Sequence, residues 1–134
     1  MDKVRAKILV VDDEPIFTQL VSHLLTADGY EVDTAVDGID ALDKIRGKKY
    51  DLLLTGIRMP GMSGFELYEC AIKIAPSLAN KTIVISGSID SADTKEFLTK
   101  YKLPYFAKPF ISQQLVNVVN AVLNSERMNW FNMP

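Results

Sequence analysis

Residues 50–64 read YDLLLTGIRMPGMSG, and this stretch decides how the rest of the chain is interpreted. It opens with an apolar run at 52–54, which is typical of a strand buried on both faces of a sheet. It closes with Pro60, Gly61 and Gly64, which predict a stiff, tightly turned loop. Gly56 lies where the strand should end. Either the backbone conformation at this position requires a glycine, or a functional side chain is missing here.

Length and composition predict one soluble, cytoplasmic domain. The chain has 134 residues, of which 48% are hydrophobic and 24% charged, as in ordinary globular proteins. Its net charge of −2 gives no reason to expect a polyanionic partner. Cys70 is the single cysteine, so no internal disulfide is possible and a reducing compartment is expected. No apolar run approaches the ~20 residues of a membrane span, and the N-terminus does not resemble a signal peptide.

Hydrophobic periodicity predicts five strands alternating with five helices. The predicted strands are 6–11, 30–36, 51–56, 82–86 and 103–107. Helices are expected to begin near Pro15, Gly38, Ser63, Ser91 (or Asp90) and Ser112, and the last is expected to run to about Glu126. Ser63 and Glu66 form a capping-box pattern, and Gly29 is expected as a left-handed cap. Such alternation favours a parallel sheet covered by helices on both faces.

Apolar spacing also predicts which side chains face the core. In helix one the expected inward stripe is Ile16, Phe17, Leu20, Val21, Leu24 and Leu25. In helix two it is Ile39, Leu42 and Ile45. Cys70 is expected to pack in the core, whereas His23 lies off the stripe and is expected at the surface.

Polar residues collect at the carboxyl ends of the predicted strands, where α/β sheets bind ligands. Asp12 and Asp13 follow strand one, Ser86 ends strand four and Lys108 follows strand five. Adjacent acids before a helix often serve only its N-terminal electrostatics. Together, however, two carboxylates, a hydroxyl and an amine are parts for a divalent cation and a phosphoryl group.

Four segments with these residues resemble the CheY-like receiver domain of two-component response regulators, over about residues 5–125. The segments are 7–15 (KILVVDDEP), 57–64 (IRMPGMSG), 83–87 (IVISG) and 105–110 (YFAKPF). The resemblance implies a flavodoxin-like, doubly wound five-stranded parallel sheet in the order 2-1-3-4-5. It implies a receiver domain at 1–126, followed by a C-terminal tail at 127–134.

The resemblance also implies roles for single residues. An Mg²⁺ ion would be held by Asp12, Asp13 and the backbone carbonyl of Arg58. The phosphoryl pocket would contain Ser86 as the switch hydroxyl, Tyr105 as the aromatic residue that rotates with it, and Lys108 as the pocket lysine.

One position departs from the family pattern. The phospho-accepting aspartate of this family lies three residues before the Met-Pro pair, and here that residue is Gly56. Thr55 should point to the opposite face, and Asp51 lies roughly 16 Å away along an extended strand. We therefore expect no acyl phosphate at this position, and weakened or absent Mg²⁺ binding.

Two explanations of Gly56 stay open. The chain is either a natural pseudo-receiver or a normal receiver carrying one substitution. Our hypothesis for the altered pocket is that Lys108 pairs with Asp12 or Asp13. The alternative is that water or a free anion fills the space beside Gly56.

The function expected from the resemblance is signal transduction through protein contacts, without enzymatic activity. Its partners would be a sensor histidine kinase ancestrally, and an output protein at helix four, strand five and helix five. No direct nucleic-acid or membrane contact is expected, and the chain should be a monomer or weak homodimer.

The alternative function is that of a small phosphotransferase or phosphatase of haloacid-dehalogenase type. That family has an Asp-x-Asp motif where this chain has Asp12-Asp13-Glu14-Pro15. The tail aromatics Trp130 and Phe131 would dock on the domain, bridge a dimer, or be the remnant of a longer protein.

Overall fold

A five-stranded parallel sheet with helices on both faces forms the frame of the molecule. The structure, a computed structural model, describes residues 6–86, 92–107 and 112–124. The strands are β1 (Lys7–Val11), β2 (Glu31–Ala35), β3 (Leu52–Thr55), β4 (Thr82–Ser86) and β5 (Tyr105–Ala107). The helices are α1 (Pro15–Ala27), α2 (Gly38–Gly47), α3 (Gly64–Ile74), α4 (Ala92–Tyr101) and α5 (Ser112–Asn124).

The strands pair in the order β2-β1-β3-β4-β5, all parallel, which confirms the predicted topology. β1 and β3 lie at the centre and are almost entirely buried, as their apolar runs predict. β2 lies at one edge and is only partly buried, in line with its alternating sequence. A short 3₁₀ helix at Pro76–Asn80 was not predicted; it joins α3 to β4.

Successive residues of the central strands point to opposite faces and so build two separate cores. On one face, Val10 and Leu54 pack with residues of α1 and α5. On the other face, Leu9 and Leu53 pack with residues of α2 and α3. Cys70 is half-buried against the second core, as expected.

A third cluster joins α3 to α4 through aromatic rings. Phe97 of α4 stacks on Phe65, with ring centroids 4.2 Å apart, and meets Tyr68 edge-on at 5.7 Å. Tyr101, one turn further along α4, lies against Tyr68 at 5.0 Å and donates a hydrogen bond to Glu69. These contacts fix the position of α4 on its face of the sheet.

The inward stripes predicted for α1 and α2 were partly wrong. Ile16 is 83% exposed, Leu20 49% and Ile39 64%. In α1 the buried positions are Thr18, Val21 and Leu25, a narrower stripe than the sequence suggested. Both Ile16 and Ile39 lie in the first turn of their helices, beyond the strand ends, where the sheet offers no surface to cover them. His23 is exposed, as predicted.

The ends of several helices are set by short-range hydrogen bonds. The capping box of α3 is present: Ser63 Oγ accepts from the Glu66 N–H at 3.1 Å, and Glu66 accepts from the Ser63 N–H at 3.0 Å. Gly29 has a φ of +99°, the left-handed conformation predicted after α1. The predicted caps of α4, at 90 and 91, lie outside the described residues, and Ser112 is the first residue of α5, not its cap.

The C-terminal end of α4 has an unusual residue in the left-handed region. Lys102 has a φ of +54°, and the N–H of the next residue, Leu103, donates to the Leu98 carbonyl at 3.2 Å. This is the Schellman arrangement, which usually places glycine at this position.

Among the residues that the structure describes, no helix is long and apolar enough to cross a membrane.

Candidate functional site

The two aspartates at the end of β1 have different surroundings. Asp12 is only 4% exposed, and its Oδ1 accepts a hydrogen bond from the Glu14 N–H at 3.0 Å. Its own N–H donates to the Ala35 carbonyl at 3.2 Å, so the backbone there still follows β2. Asp13 is exposed. The end of β1 therefore directs one carboxylate into the rim of the sheet and leaves the next one in solvent.

Gly56 lies beside the Asp12 carboxylate. Its N–H donates to the Val11 carbonyl at 2.9 Å, which extends the pairing of β1 with β3 by one residue. A Cβ atom at Gly56 would lie 2.8 Å from Asp12 Oδ2 and 3.7 Å from the backbone oxygen of Ile85. The carboxylate of Asp12 thus occupies the space into which a side chain at residue 56 would project.

The two residues considered as substitutes for a rim carboxylate point elsewhere. Thr55 is buried, and its hydroxyl donates to the Gly56 carbonyl at 2.8 Å. Asp51 lies at the opposite end of β3, where its side chain accepts from the Lys7 N–H at 2.8 Å. Neither contributes an acidic group at the end of β3.

The loop after β3 is tied back onto the strand by Gly64. The Gly64 N–H donates to the Ile57 carbonyl at 2.7 Å. A Cβ at Gly64 would overlap the carbonyl oxygen of Gly56, so this position requires glycine. The predicted tight loop between Arg58 and Gly64 is therefore present, and Gly61 within it has a φ of +83°.

The remaining predicted residues lie at the ends of β4 and β5. Ser86 is the last residue of β4, and its backbone aligns with Ala107 of β5. Tyr105, the first residue of β5, is 39% exposed. Lys108 lies outside the described residues, and so does the proposed pairing of Lys108 with Asp12 or Asp13. The structure therefore brings Asp12 and Gly56 together, and places Ser86 and Asp13 at the same edge of the sheet.

Two of the predicted ligands of a divalent cation at this edge are carboxylates. Mg²⁺ prefers oxygen ligands in octahedral geometry, often one or two carboxylates together with water. Within the described ranges, no group of three or more histidine, cysteine, aspartate or glutamate side chains converges. Asp12 and Asp13 are the predicted carboxylate ligands after β1, and the end of β3 adds none.

An open cleft next to Asp13 was missed by the sequence analysis. Its volume is about 570 Å³, and it lies between the loop after β3, the start of α3 and the first turn of α4. Arg58 and Asp93 line it together with Asp13. Asp93 was overlooked because an acid in the first turn of a helix is normally explained by the helix dipole, and no sequence spacing links residues 13, 58 and 93.

A polar cluster with shifted pKa values lies away from the rim, on β2. Asp33 accepts from the Tyr50 hydroxyl at 2.6 Å and from Lys48 Nζ at 2.9 Å. The Tyr50 hydrogen bond, followed by that of Lys48, lowers the pKa of the Asp33 carboxyl. Burial, followed by the hydrogen bond to Asp33, raises the pKa of the Tyr50 hydroxyl. Burial likewise raises the pKa of Tyr68, in the aromatic cluster, to about 12.

Comparison with known proteins identifies the family. The model of the response regulator receiver domain matches residues 8–120. The chain therefore belongs to the response regulator receiver domain family. It is 31% identical over 120 residues to the response regulator ArlR of Staphylococcus aureus, an alignment that covers 90% of this chain and 53% of ArlR. The chain thus spans about half the length of the curated relatives that it matches.

Solved structures share the same fold. A CheY-like receiver domain protein of Methanospirillum hungatei has a TM-score of 0.82 at 30% identity, covering 89% of this chain and 94% of that one. The response regulator TrrA of Thermotoga maritima, crystallised with Mg²⁺ and BeF, has a TM-score of 0.75 at 33% identity, covering 87% of this chain and 98% of that one. These findings confirm the CheY-like resemblance and the two-component class. They give no support to the haloacid-dehalogenase alternative.

Proposed function

We propose that this chain is a pseudo-receiver, a receiver module that transmits signals through protein contacts without being phosphorylated at residue 56. The observation that carries the proposal is the end of β3. Gly56 has no side chain to act as a nucleophile, and the Asp12 carboxylate lies 2.8 Å from its Cβ position. Acyl-phosphate chemistry needs a carboxylate at the point of attack, and the neighbouring Thr55 and Asp51 point elsewhere.

The proposed module is not an enzyme and acts in the cytoplasm. The proposed receiver domain comprises residues 1–126, and the proposed tail comprises residues 127–134. The chain is proposed to be a monomer or a weak homodimer. Its ancestral partner would be a sensor histidine kinase, and its output partner would bind α4, β5 and α5. No direct contact with nucleic acid or membrane is proposed. In the proposed pocket, Ser86, Tyr105 and Lys108 keep the family's residue types although the acceptor is lost.

Mg²⁺ binding is proposed to be weak or absent. Asp12, Asp13 and the backbone carbonyl of Arg58 would hold the ion, and its chemistry would be to neutralise phosphoryl oxygens. The missing carboxylate at residue 56 removes one anionic ligand from this set. The relative TrrA was crystallised with Mg²⁺.

Intact-mass measurement after incubation with acetyl phosphate and Mg²⁺ tests the proposal. We expect no phosphoryl adduct on the natural chain and an adduct on Gly56→Asp. Gly56→Asn is the matched control, because it has nearly the size of aspartate without its nucleophilic carboxylate. An adduct on the natural chain itself would refute the proposal.

Thermal unfolding of the same three proteins tests the cation site. An aspartate at residue 56 places a second carboxylate against the buried Asp12, and like charges so close oppose each other. We therefore expect Gly56→Asp to have the lowest Tm without Mg²⁺ and to gain several degrees with it. Gly56→Asn and the natural chain should respond little. An equal Mg²⁺ response in all three would contradict the proposed loss of metal affinity.

A further inference from the structure

The open cleft beside Asp13, here called the Arg58 cleft, has an apolar wall. Ile57, Met59 and Phe65 line it. Ile57 packs in the α3–α4 aromatic cluster and Met59 in the α2–α3 core, so the half-buried Phe65 is the most accessible of the three. Its volume of about 570 Å³ is in the range of small-molecule sites. An aliphatic stem would therefore find an apolar surface there.

Three charged side chains surround this apolar wall. Asp13 follows β1, Arg58 is in the loop after β3, and Asp93 is in the first turn of α4. All three are exposed, and none forms an ion pair within the described part of the chain. By contrast, acids of α2 and β2 are paired, as in Lys44–Asp40 at 3.0 Å and Lys48–Asp33 at 2.9 Å. Among the residues that the structure describes, no ion-pair partner neutralises the three charges of the Arg58 cleft.

The three charges define the chemistry of that ligand. A cleft lined by two carboxylates and by apolar side chains suits a molecule with two positive groups joined by methylenes. The guanidinium of Arg58 would also donate hydrogen bonds to a carboxylate on the same molecule. We propose that the Arg58 cleft binds a small aliphatic dication, a diamine or a basic amino acid, whose two positive groups contact Asp13 and Asp93.

Such a ligand would connect three elements. Asp13, the loop after β3 and the first turn of α4 would be held together, and α4 is packed on α3 by the rings of Phe65 and Phe97. This gives the chain a way to change the position of α4 without a phosphoryl group. The inference rests on the proposed phosphorylation-independent function.

Isothermal titration calorimetry of the full chain tests the proposal, with EDTA present and no phosphodonor. The probes are 1,5-diaminopentane and L-lysine, with n-pentylamine as the single-charge comparison. We expect saturable binding of a dication, and binding of n-pentylamine about tenfold weaker, because one charged contact is lost. No saturable binding of either dication, or equal binding of n-pentylamine, would overturn the proposal.

Variants of α4 separate the cleft from general surface charge. Asp93→Asn should weaken dication binding about tenfold. Glu96→Gln is the matched control, because it removes the same charge from the same helix outside the cleft, and it should bind as the natural chain does. Equal weakening by both variants would overturn the proposal, since it would indicate only non-specific attraction. Circular dichroism confirms that both variants fold.

Arg58→Ala distinguishes the two ligand sources. If the ligand is a diamine, removing a positive group should strengthen the binding of 1,5-diaminopentane. If it is a basic amino acid, the variant should weaken L-lysine binding, because the carboxylate loses its partner. An affinity unchanged for both probes would overturn the placement of the ligand beside Arg58. Because these titrations contain no phosphodonor, their failure is separate from any adduct seen by mass.

Discussion

At the scale of single residues, Asp33 is the acid whose environment is best defined. Tyr50 and Lys48 both donate to its Oδ2, and they lower its pKa below the ordinary value of 3.8. A carboxyl group with a lowered pKa stabilises the fold above its unfolded pKa. That contribution is lost as the pH falls through the folded pKa. Part of the stability of the β2 edge is therefore pH-dependent in the acid range.

Tyr50→Phe removes the leading cause of this shift. We expect the free energy of unfolding at neutral pH to fall by about 0.5–1 kcal/mol, at the low end of a charged hydrogen bond because Asp33 is partly exposed. The deficit should shrink as the pH falls below 3.8 and then through the lowered pKa of folded Asp33, where its carboxyl becomes protonated. Urea unfolding across that pH range measures it.

Tyr30→Phe is the control for the pH dependence. The Tyr30 hydroxyl also donates to a side chain, Asn120, but that acceptor is neutral. Its loss should cost the same free energy at every pH in the series. A Tyr50→Phe deficit that stays constant down to acid pH would contradict the role assigned to Asp33.

At the scale of elements, two lysine-to-glycine substitutions, one inside α4 and one just after its end, should change the free energy of unfolding in opposite directions. Lys102 has a φ of +54°, where a side chain is strained, so Lys102→Gly should raise the free energy of unfolding by about 1 kcal/mol. Lys95 lies inside the same helix, and Lys95→Gly should lower it by about 0.7 kcal/mol. Thermal or urea unfolding compares the two; a loss of stability in both variants would contradict the strain at Lys102.

Most element boundaries could be predicted from the sequence, because apolar runs, proline and glycine mark them locally. The order of the strands is not marked locally, and it was predicted from the resemblance to CheY-like receiver domains. The orientation of the first helical turns could not, since Ile16 and Ile39 depend on where the sheet ends rather than on helical spacing. At the rim, the sequence identified Asp12 and Gly56 as neighbours. The resemblance placed Asp13 and Arg58 at one site, but it did not include Asp93, which lines the same cleft only through tertiary structure.

At the scale of the whole molecule, two cores share the same central strands. Leu53 and Leu54 are adjacent in β3, both at most 1% exposed, yet they belong to opposite cores. A change on either face must therefore be felt across the sheet. This arrangement favours a single cooperative unfolding transition.

Leu53→Ala and Leu54→Ala test this coupling as a matched pair. Each should lower the free energy of unfolding by about 3 kcal/mol, the usual cost of a buried leucine truncated to alanine. Urea unfolding followed by amide NMR signals should give one midpoint for both faces in each variant. Separate midpoints for α1–α5 and α2–α3 would show that the two cores unfold independently.

The space beside Gly56 also has a genetic consequence. The closest obstacle to a Cβ there is the end of the flexible Asp12 side chain, and the nearest backbone oxygen, of Ile85, is at 3.7 Å. A glycine codon GGT or GGC becomes an aspartate codon through one base change. With such a codon, the acidic residue is one mutational step away, and the main chain needs no second mutation to admit it. An exchange of glycine and aspartate at residue 56 would then need no remodelling of the main chain.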